Sequence, residues 1–294
     1  MAQPRSKKRR DKLAPGRKGK GRPSGRPRGA GSHRSSSRSR GGAKGLGGDQ
    51  VEGRQAVREL LIAGSRKVIE VTVSEDLDQS DVVEDIVTLA SELRIPLKVL
   101  PRRKVDSAAQ TDSHQGVVAK AAPLKVHDPD KLAQSDTCFL FVLDGITDPR
   151  NLGAILRLAE CAGVTGVVMS RHRAVHVTPA ATKTAAGAIE YLPMALVGGI
   201  PSYISALKQA GVTTIGLDGS GESSIYDPAM DVSGRTALVL GAEGAGMARL
   251  TRERVDILAS LPLAGQLSSL NVGTAAAAAC YEIVRRRNLE TATG

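Results

Sequence analysis

Three short segments of the sequence hold polar side chains at spacings that could serve chemistry. In the first, Asp148-Pro149-Arg150-Asn151-Leu152-Gly153, a turn runs into a helix that Asn151 can cap, and Arg157 follows six residues later. Arg157 then lies roughly 9 Å along the axis from Asn151. Leu152, Ile155, Leu156 and Ala159 take the buried stripe, while Gly153, Arg157 and Glu160 share another face. Gly153, one turn ahead of Arg157, would leave room for a substrate backbone. The second segment, Gly241-Ala242-Glu243-Gly244-Ala245-Gly246, follows the apolar run Leu238-Val239-Leu240 and is a glycine-rich turn with one carboxylate. Backbone exposed at such a turn can hydrogen-bond a nucleoside. The third is Leu261-Pro262-Leu263, then Ser268-Ser269-Leu270-Asn271, leading into the alanine-rich stretch Ala275 to Ala279. An amide, a guanidinium, a carboxylate and hydroxyls can bind, orient and manage a proton. Each segment also has a plainer reading: a capped helix with a surface Arg157–Glu160 pair, a tight turn needing positive φ, or an N-cap at Ser269 or Asn271.

Other chemistries find little support. The glycine turn is neither a G-x-G-x-x-G fingerprint nor a P-loop, since Arg249 stands where a third glycine belongs and no Gly-Lys-Ser/Thr follows. His172 and His176 are four apart without the glutamate of a zinc-protease helix, and read as part of a basic surface segment. Cys138, Cys161 and Cys280 are isolated, which argues against a disulfide framework or a zinc site and fits a reducing compartment. No metal is expected.

The elements that position these segments follow from the hydrophobic pattern. Helices are expected over 53–63 and 81–94, strands over 67–73 and 97–100, and a His114-Gln115-Gly116 turn into a further strand. Together they make a small α/β domain over 51–122, with a polar linker at 123–135. From 136 to 290 strands and helices alternate, from the continuous apolar run Thr137–Leu143 to a long terminal helix over 271–287. A mainly parallel sheet covered on both faces is the expected architecture. All three polar segments then sit just beyond strand ends, where open α/β sheets bind ligands.

Charge divides the chain unevenly. Residues 1–50 carry 16 of the 41 Lys and Arg but only Asp11 and Asp49 of the 30 acids, so a strongly basic arm precedes a mildly acidic body. The arm is rich in Gly, Ser and Pro and is expected to be disordered alone; it would attract phosphate backbones without reading sequence, or act only as a solubilising tail. No apolar run of membrane-spanning length occurs and the first residues lack a secretory pattern, so a cytoplasmic location without membrane contact is expected. With six aromatics and no Trp, base stacking is an unpromising basis for nucleic-acid recognition.

On these residues the chain resembles the SpoU/TrmH family of SPOUT-class RNA 2′-O-ribose methyltransferases. The Asn-x5-Arg element (Asn151, Arg157), the Gly-Ala-Glu-Gly turn (Gly241 to Gly244) and Ser-Leu-Asn-Val (Ser269 to Val272) occur in the family's order and spacing. The likeness runs from about Val51 to the end, is closest to the subgroup acting on a guanosine of large-subunit rRNA, and leaves the basic arm outside. The resemblance implies an α/β fold with a trefoil-knotted SPOUT domain behind an L30-like substrate-binding domain, a homodimer, and S-adenosylmethionine as methyl donor. It places Leu240, Gly241, Gly244, Leu261, Leu263 and Leu270 at the donor, and Asn151, Arg157, Glu243, Ser269 and Asn271 at catalytic positions. Arginine is almost never a free base, so Arg157 would anchor a phosphate and orient the 2′-oxygen, with Asn151 holding that arginine or the ribose. Glu243 would fix its turn, and Ser269 and Asn271 would bond near donor and hydroxyl. The alternatives are tRNA or another rRNA nucleotide as substrate, or a non-catalytic RNA-binding assembly factor.

Overall fold

A computed structural model describes residues 45–78, 80–172 and 176–293, with side chains as far as 289. Most of the basic arm, and Arg173 of the basic segment near His172, lie outside the described residues.

The first part is a four-stranded sheet in the order β1-β4-β2-β3: β1 (Gln50–Glu52), β2 (Val68–Ser74), β3 (Leu97–Leu100) and β4 (Val117–Ala121). Helices α1 (Arg54–Ala63) and α2 (Asp81–Glu92) pack against one another, and α3 (Arg102–Ala108) leads to β4. Val57, Leu60 and Leu61 of α1 meet Val71, Ile86, Val117 and Ala119 in one buried cluster, as their helical and alternating spacings require. Gly64 closes α1 in the left-handed region at φ 54°.

The folded body starts before Val51. Leu46 is fully buried, Gly47 bridges to Val177, and β1 begins at Gln50. Composition averaged over the arm hid these few residues. The 123–135 segment is also less of a tether than its polarity suggested. It holds the short helix α4 (Pro129–Leu132), buries Ala133, and bridges through His127 to Ala195.

The second part is a seven-stranded sheet in the order β7-β6-β5-β10-β8-β11-β9, with every pair parallel. Its strands are β5 (Phe139–Asp144), β6 (Gly166–Ser170), β7 (Met194–Val197), β8 (Thr213–Leu217), β9 (Ser223–Ser224), β10 (Thr236–Gly241) and β11 (Ile257–Ser260). The apolar runs of β5 and β10 lie side by side at the centre, buried on both faces. Helices α5 (Pro149–Cys161), α6 (Pro179–Ala185), α7 (Ile200–Gln209), α8 (Arg249–Arg254) and α9 (Val272–Thr293) cover the faces. The pattern reading lacked the short strands β1, β7 and β9 and the seven-residue helix α3.

Gly153 does not hold space for a substrate. A Cβ there would stand 2.6 Å from the Ala181 carbonyl oxygen and 2.6 Å from Thr184 Cβ, so this glycine lets α5 lie directly on α6. The two sheets are also locked together. The Arg66 guanidinium donates to the Glu190 carboxylate at 2.7 Å, with side chains 7% and 0% exposed, and to the backbone oxygens of Gly48 and Ala122. Breaking a buried pair of this kind typically costs about 3–5 kcal/mol, because one charge is left uncompensated.

Candidate active site

The polar segments converge at the carboxyl ends of β5, β8, β10 and β11. β10 ends at Gly241, where an added Cβ would sit 2.2 Å from Met247 N. Only glycine lets the following turn fold back onto its own strand. The turn closes through Ala242 N to Gly246 O at 3.0 Å and Gly246 N to Ala242 O at 2.8 Å. Gly244 and Gly246 adopt φ of 79° and 67°, left-handed conformations that need glycine. Asp144, at the end of the neighbouring β5, accepts from Ala248 N at 2.8 Å and pins the far end of the turn.

Beside the turn lies a cavity of about 310 Å³, within the roughly 300–1,000 Å³ typical of small-molecule sites. All six residues expected at a donor line it: Leu240, Gly241, Gly244, Leu261, Leu263 and Leu270. Glu243 and Ser269 join them. Leucine side chains make an apolar wall, and the turn supplies backbone groups and a carboxylate. This suits a ligand that joins a flat heterocycle to a separate positive charge.

The sequence reading missed Asp218 and Arg252, which also line this cavity. Arg252 Nε lies 3.5 Å from the Asp218 carboxylate. Burial pulls the Asp218 carboxyl upward, but hydrogen bonds from Ser220 and the Arg252 charge outweigh it and hold the group below its ordinary range. A signal was present: Leu217-Asp218-Gly219 repeats the Leu143-Asp144-Gly145 pattern at the end of another parallel strand.

A smaller cavity of about 230 Å³ adjoins the first, lined by Ile146, Thr147, Asp148, Asn151, Glu243 and Val272. Between them stands a hydrogen-bonded trio. Asn151 Nδ2 donates to Glu243 Oε2 at 2.6 Å, Asn271 Nδ2 donates to Asn151 Oδ1 at 2.9 Å, and Asn271 Nδ2 reaches Glu243 Oε1 at 3.5 Å. The capping assignments explain why both amides can meet there. Asp148, not Asn151, caps α5, accepting from Arg150 N and Asn151 N. Asn271 does cap α9, through Gly273 N at 2.9 Å, yet keeps its amide nitrogen for the trio.

Four of the five expected catalytic residues, Asn151, Glu243, Ser269 and Asn271, thus lie around one pair of cavities. Arg157 does not. It is exposed on α5, lines neither cavity, and forms no hydrogen bond or ion pair among the described residues, so the surface pair with Glu160 is not made. Six residues along a helix turn a side chain to a different face, which separates it from Asn151. Two adjoining cavities joined by neutral amides and a carboxylate suit transfer of a group directly between two bound molecules.

Comparison with known proteins gives the same picture. Residues 139–281 match the model of the SpoU rRNA Methylase family, and residues 50–127 match the model for RNA 2′-O ribose methyltransferase substrate binding. The 23S rRNA (guanosine-2′-O-)-methyltransferase RlmB of Photobacterium profundum is 38% identical over 248 residues, covering 83% of this chain and 100% of that protein. A putative TrmH family tRNA/rRNA methyltransferase of Bacillus subtilis is 36% identical over 245 residues, covering 82% and 96%. Among solved structures, the SpoU methyltransferase AviRb from Streptomyces viridochromogenes in complex with AdoMet superposes with a TM-score of 0.69 at 25% identity, over 81% of this chain and 90% of that one.

Proposed function

The chain belongs to the SpoU rRNA methylase family, and from that premise we propose that it methylates the 2′-hydroxyl of a guanosine ribose in large-subunit ribosomal RNA. The observation that carries this reading is the Asn151–Glu243–Asn271 trio standing between two adjoining cavities. The larger cavity takes the donor and the smaller takes the acceptor ribose. S-adenosylmethionine, when bound, supplies a methyl group that is already electrophilic, so the chain's residues need only align the reactants and manage one proton.

Leu240, Leu261, Leu263 and Leu270 enclose the donor, and the turn from Gly241 to Gly244 presents backbone groups to it. Glu243, the carboxylate common to both linings, favours a positive charge between the cavities and holds Asn151 and Asn271 in place. Asn151 positions the ribose, and Ser269 and Asn271 bond near the donor and the hydroxyl. Arg157 anchors a phosphate beside the target and orients the 2′-oxygen. Since it is exposed and away from its own chain's cavities, it serves the site of a second copy in a homodimer. A trefoil knot in this domain is part of the same proposal, as its membership of the family implies. Among the described residues no helix is long and apolar enough to cross a membrane, which accords with work on cytoplasmic rRNA.

Subunit complementation tests the shared site. Arg157→Ala and Asn151→Ala homodimers should both be inactive, and mixing them with subunit exchange should restore up to about a quarter to a half of wild-type transfer. No recovery in demonstrably mixed dimers would place Arg157 within its own chain's site.

A further inference from the structure

At the junction of the two sheets, two cations gather around a strained turn. Gly53, just before α1, has φ 101°, and a Cβ built there would lie 3.1 Å from Gln115 Oε1 and 3.4 Å from Lys183 Cγ. Gln115 comes from the turn before β4 and Lys183 from α6, so residues of both sheets meet at one point. Gln115 is held at φ 56°, a conformation uncommon outside glycine. Its side-chain oxygen accepts from Arg54 N at 3.1 Å and its backbone oxygen accepts from Arg54 Nε at 3.3 Å. His114 fixes the turn from behind, accepting from Gly116 N at 3.1 Å through Nδ1 and meeting Asp106 through Nε2 at 3.0 Å. Backbone strain held in place by several partners marks functional positions more often than inert ones.

The charges here are unbalanced. Lys183 is half-buried, and its ammonium forms no hydrogen bond or ion pair among the described residues; Arg54 has no carboxylate partner there either. The nearby acids are engaged elsewhere. Glu52 accepts from Gln110 N, Thr111 N and Gln50, and Asp106 is shared by Arg102 and His114. Two partly desolvated cations beside one turn, with no anion paired to either among the described residues, suit a phosphodiester.

We propose that Arg54 and Lys183, with Gln115 between them, form a phosphodiester-binding site for the substrate RNA at the junction of the two sheets. This rests on the RNA-methylating function above and extends it. α6, which carries Lys183, lies directly on α5 at Gly153, two residues beyond Asn151. The proposed phosphate site and the smaller cavity are thus served by adjoining helices.

The test uses the full chain and unmodified, in vitro transcribed large-subunit rRNA as probe. Lys183→Met and Arg54→Met keep most of each side chain's length and remove its charge. Each should weaken RNA binding several-fold at low salt and reduce the slope of log affinity against log salt by about 0.7–0.9. The double variant should lose about twice that slope, while Lys183→Arg keeps it. S-adenosylmethionine affinity, measured in parallel, should stay within about twofold and reports that the variants are folded. A double variant with wild-type RNA affinity and an unchanged slope would overturn the site. Absence of methyl transfer by the wild-type chain would instead refute the function on which it builds.

Discussion

Asn151 Nδ2 donates to Glu243 Oε2 at 2.6 Å, although 92 residues separate them in the chain. The contact joins the start of α5 to the glycine turn after β10, and it is the point where the two cavities meet. An uncharged amide is what the carboxylate requires there. Asn151→Asp would set two carboxylates against one another, and like charges so close raise the pKa of the pair. We expect transfer to fall by about a hundredfold or more near about pH 8 and to recover partly near about pH 6, where one shared proton restores the hydrogen bond. A pH–rate profile of the variant checks this; a loss independent of pH would speak against it.

Gly241→Ala should abolish the donor site while leaving the sheet intact. The added methyl would meet Met247 N at 2.2 Å and the Gly246 carbonyl carbon at 2.3 Å, backbone atoms that can yield only if the turn opens. Donor affinity measured by calorimetry should drop by at least about tenfold, or ~1.4 kcal/mol. Gly244→Val should also weaken it, through strain at φ 79° rather than a clash, since nothing lies within 4 Å of a Cβ there.

The converse holds for Gly153→Ala. Its methyl would press on the Ala181 carbonyl and Thr184 across the α5–α6 contact. Overpacking of this sort costs about 1–3 kcal/mol, more than the ~1 kcal/mol gained from helix propensity. A lowered melting temperature with unchanged donor affinity is the expected result, and a stabilised variant would contradict the packing role.

Much of the site was legible because its motifs fall where parallel strands end. There a glycine turn, a capped helix start and a polar lead-in to a long helix each leave a compositional mark. The expectation that Leu240, Leu261, Leu263 and Leu270 lie at the donor came from the family resemblance of those motifs, and all four line the larger cavity. Contacts made only in three dimensions left no such mark. Gly153 looked like open space on a helix face, because the sequence does not say that α6 crosses there. Asn151 looked like the cap, because Asp148 three residues earlier is equally able to cap and only geometry decides between them. Asp218 and Arg252 fell outside any recognised motif, and Leu46 was hidden in a basic, glycine-rich stretch.

Acid should loosen the contact between β8 and β11. Asp256 accepts from Thr214 N at 2.9 Å and pairs with Lys208 at 2.8 Å. Burial raises its carboxyl pKa, but Lys208 and Thr214 outweigh that and hold it below the ordinary value. A carboxyl depressed in the folded state stabilises fully above its unfolded pKa, about 3.9, and loses that contribution as pH falls through the folded value. Asp256→Asn should therefore be less stable than wild type at neutral pH, with the gap closing below about pH 4. Equal stabilities at neutral pH in urea titrations would refute the contribution.

The basic arm is expected to make a separate contribution to RNA attraction. Residues 1–44 carry all 16 of the arm's Lys and Arg against Asp11 alone, while the buried Leu46 requires that a truncation stop before it. Deleting residues 1–44 should flatten the salt dependence of RNA binding and weaken affinity at low salt, with donor affinity unchanged. Coincident salt series for the two proteins would assign the arm no part in binding.

Nucleoside mass spectrometry of the product shows whether the methyl group passes directly to a ribose hydroxyl. Purified protein, S-adenosylmethionine and unmodified large-subunit rRNA should yield 2′-O-methylguanosine, approaching one per RNA molecule, with an initial rate about a hundredfold lower for Asn151→Asp at about pH 8. Methylation confined to a base, or donor binding without any transfer to rRNA or tRNA, would rule out ribose 2′-O-methylation by this chain.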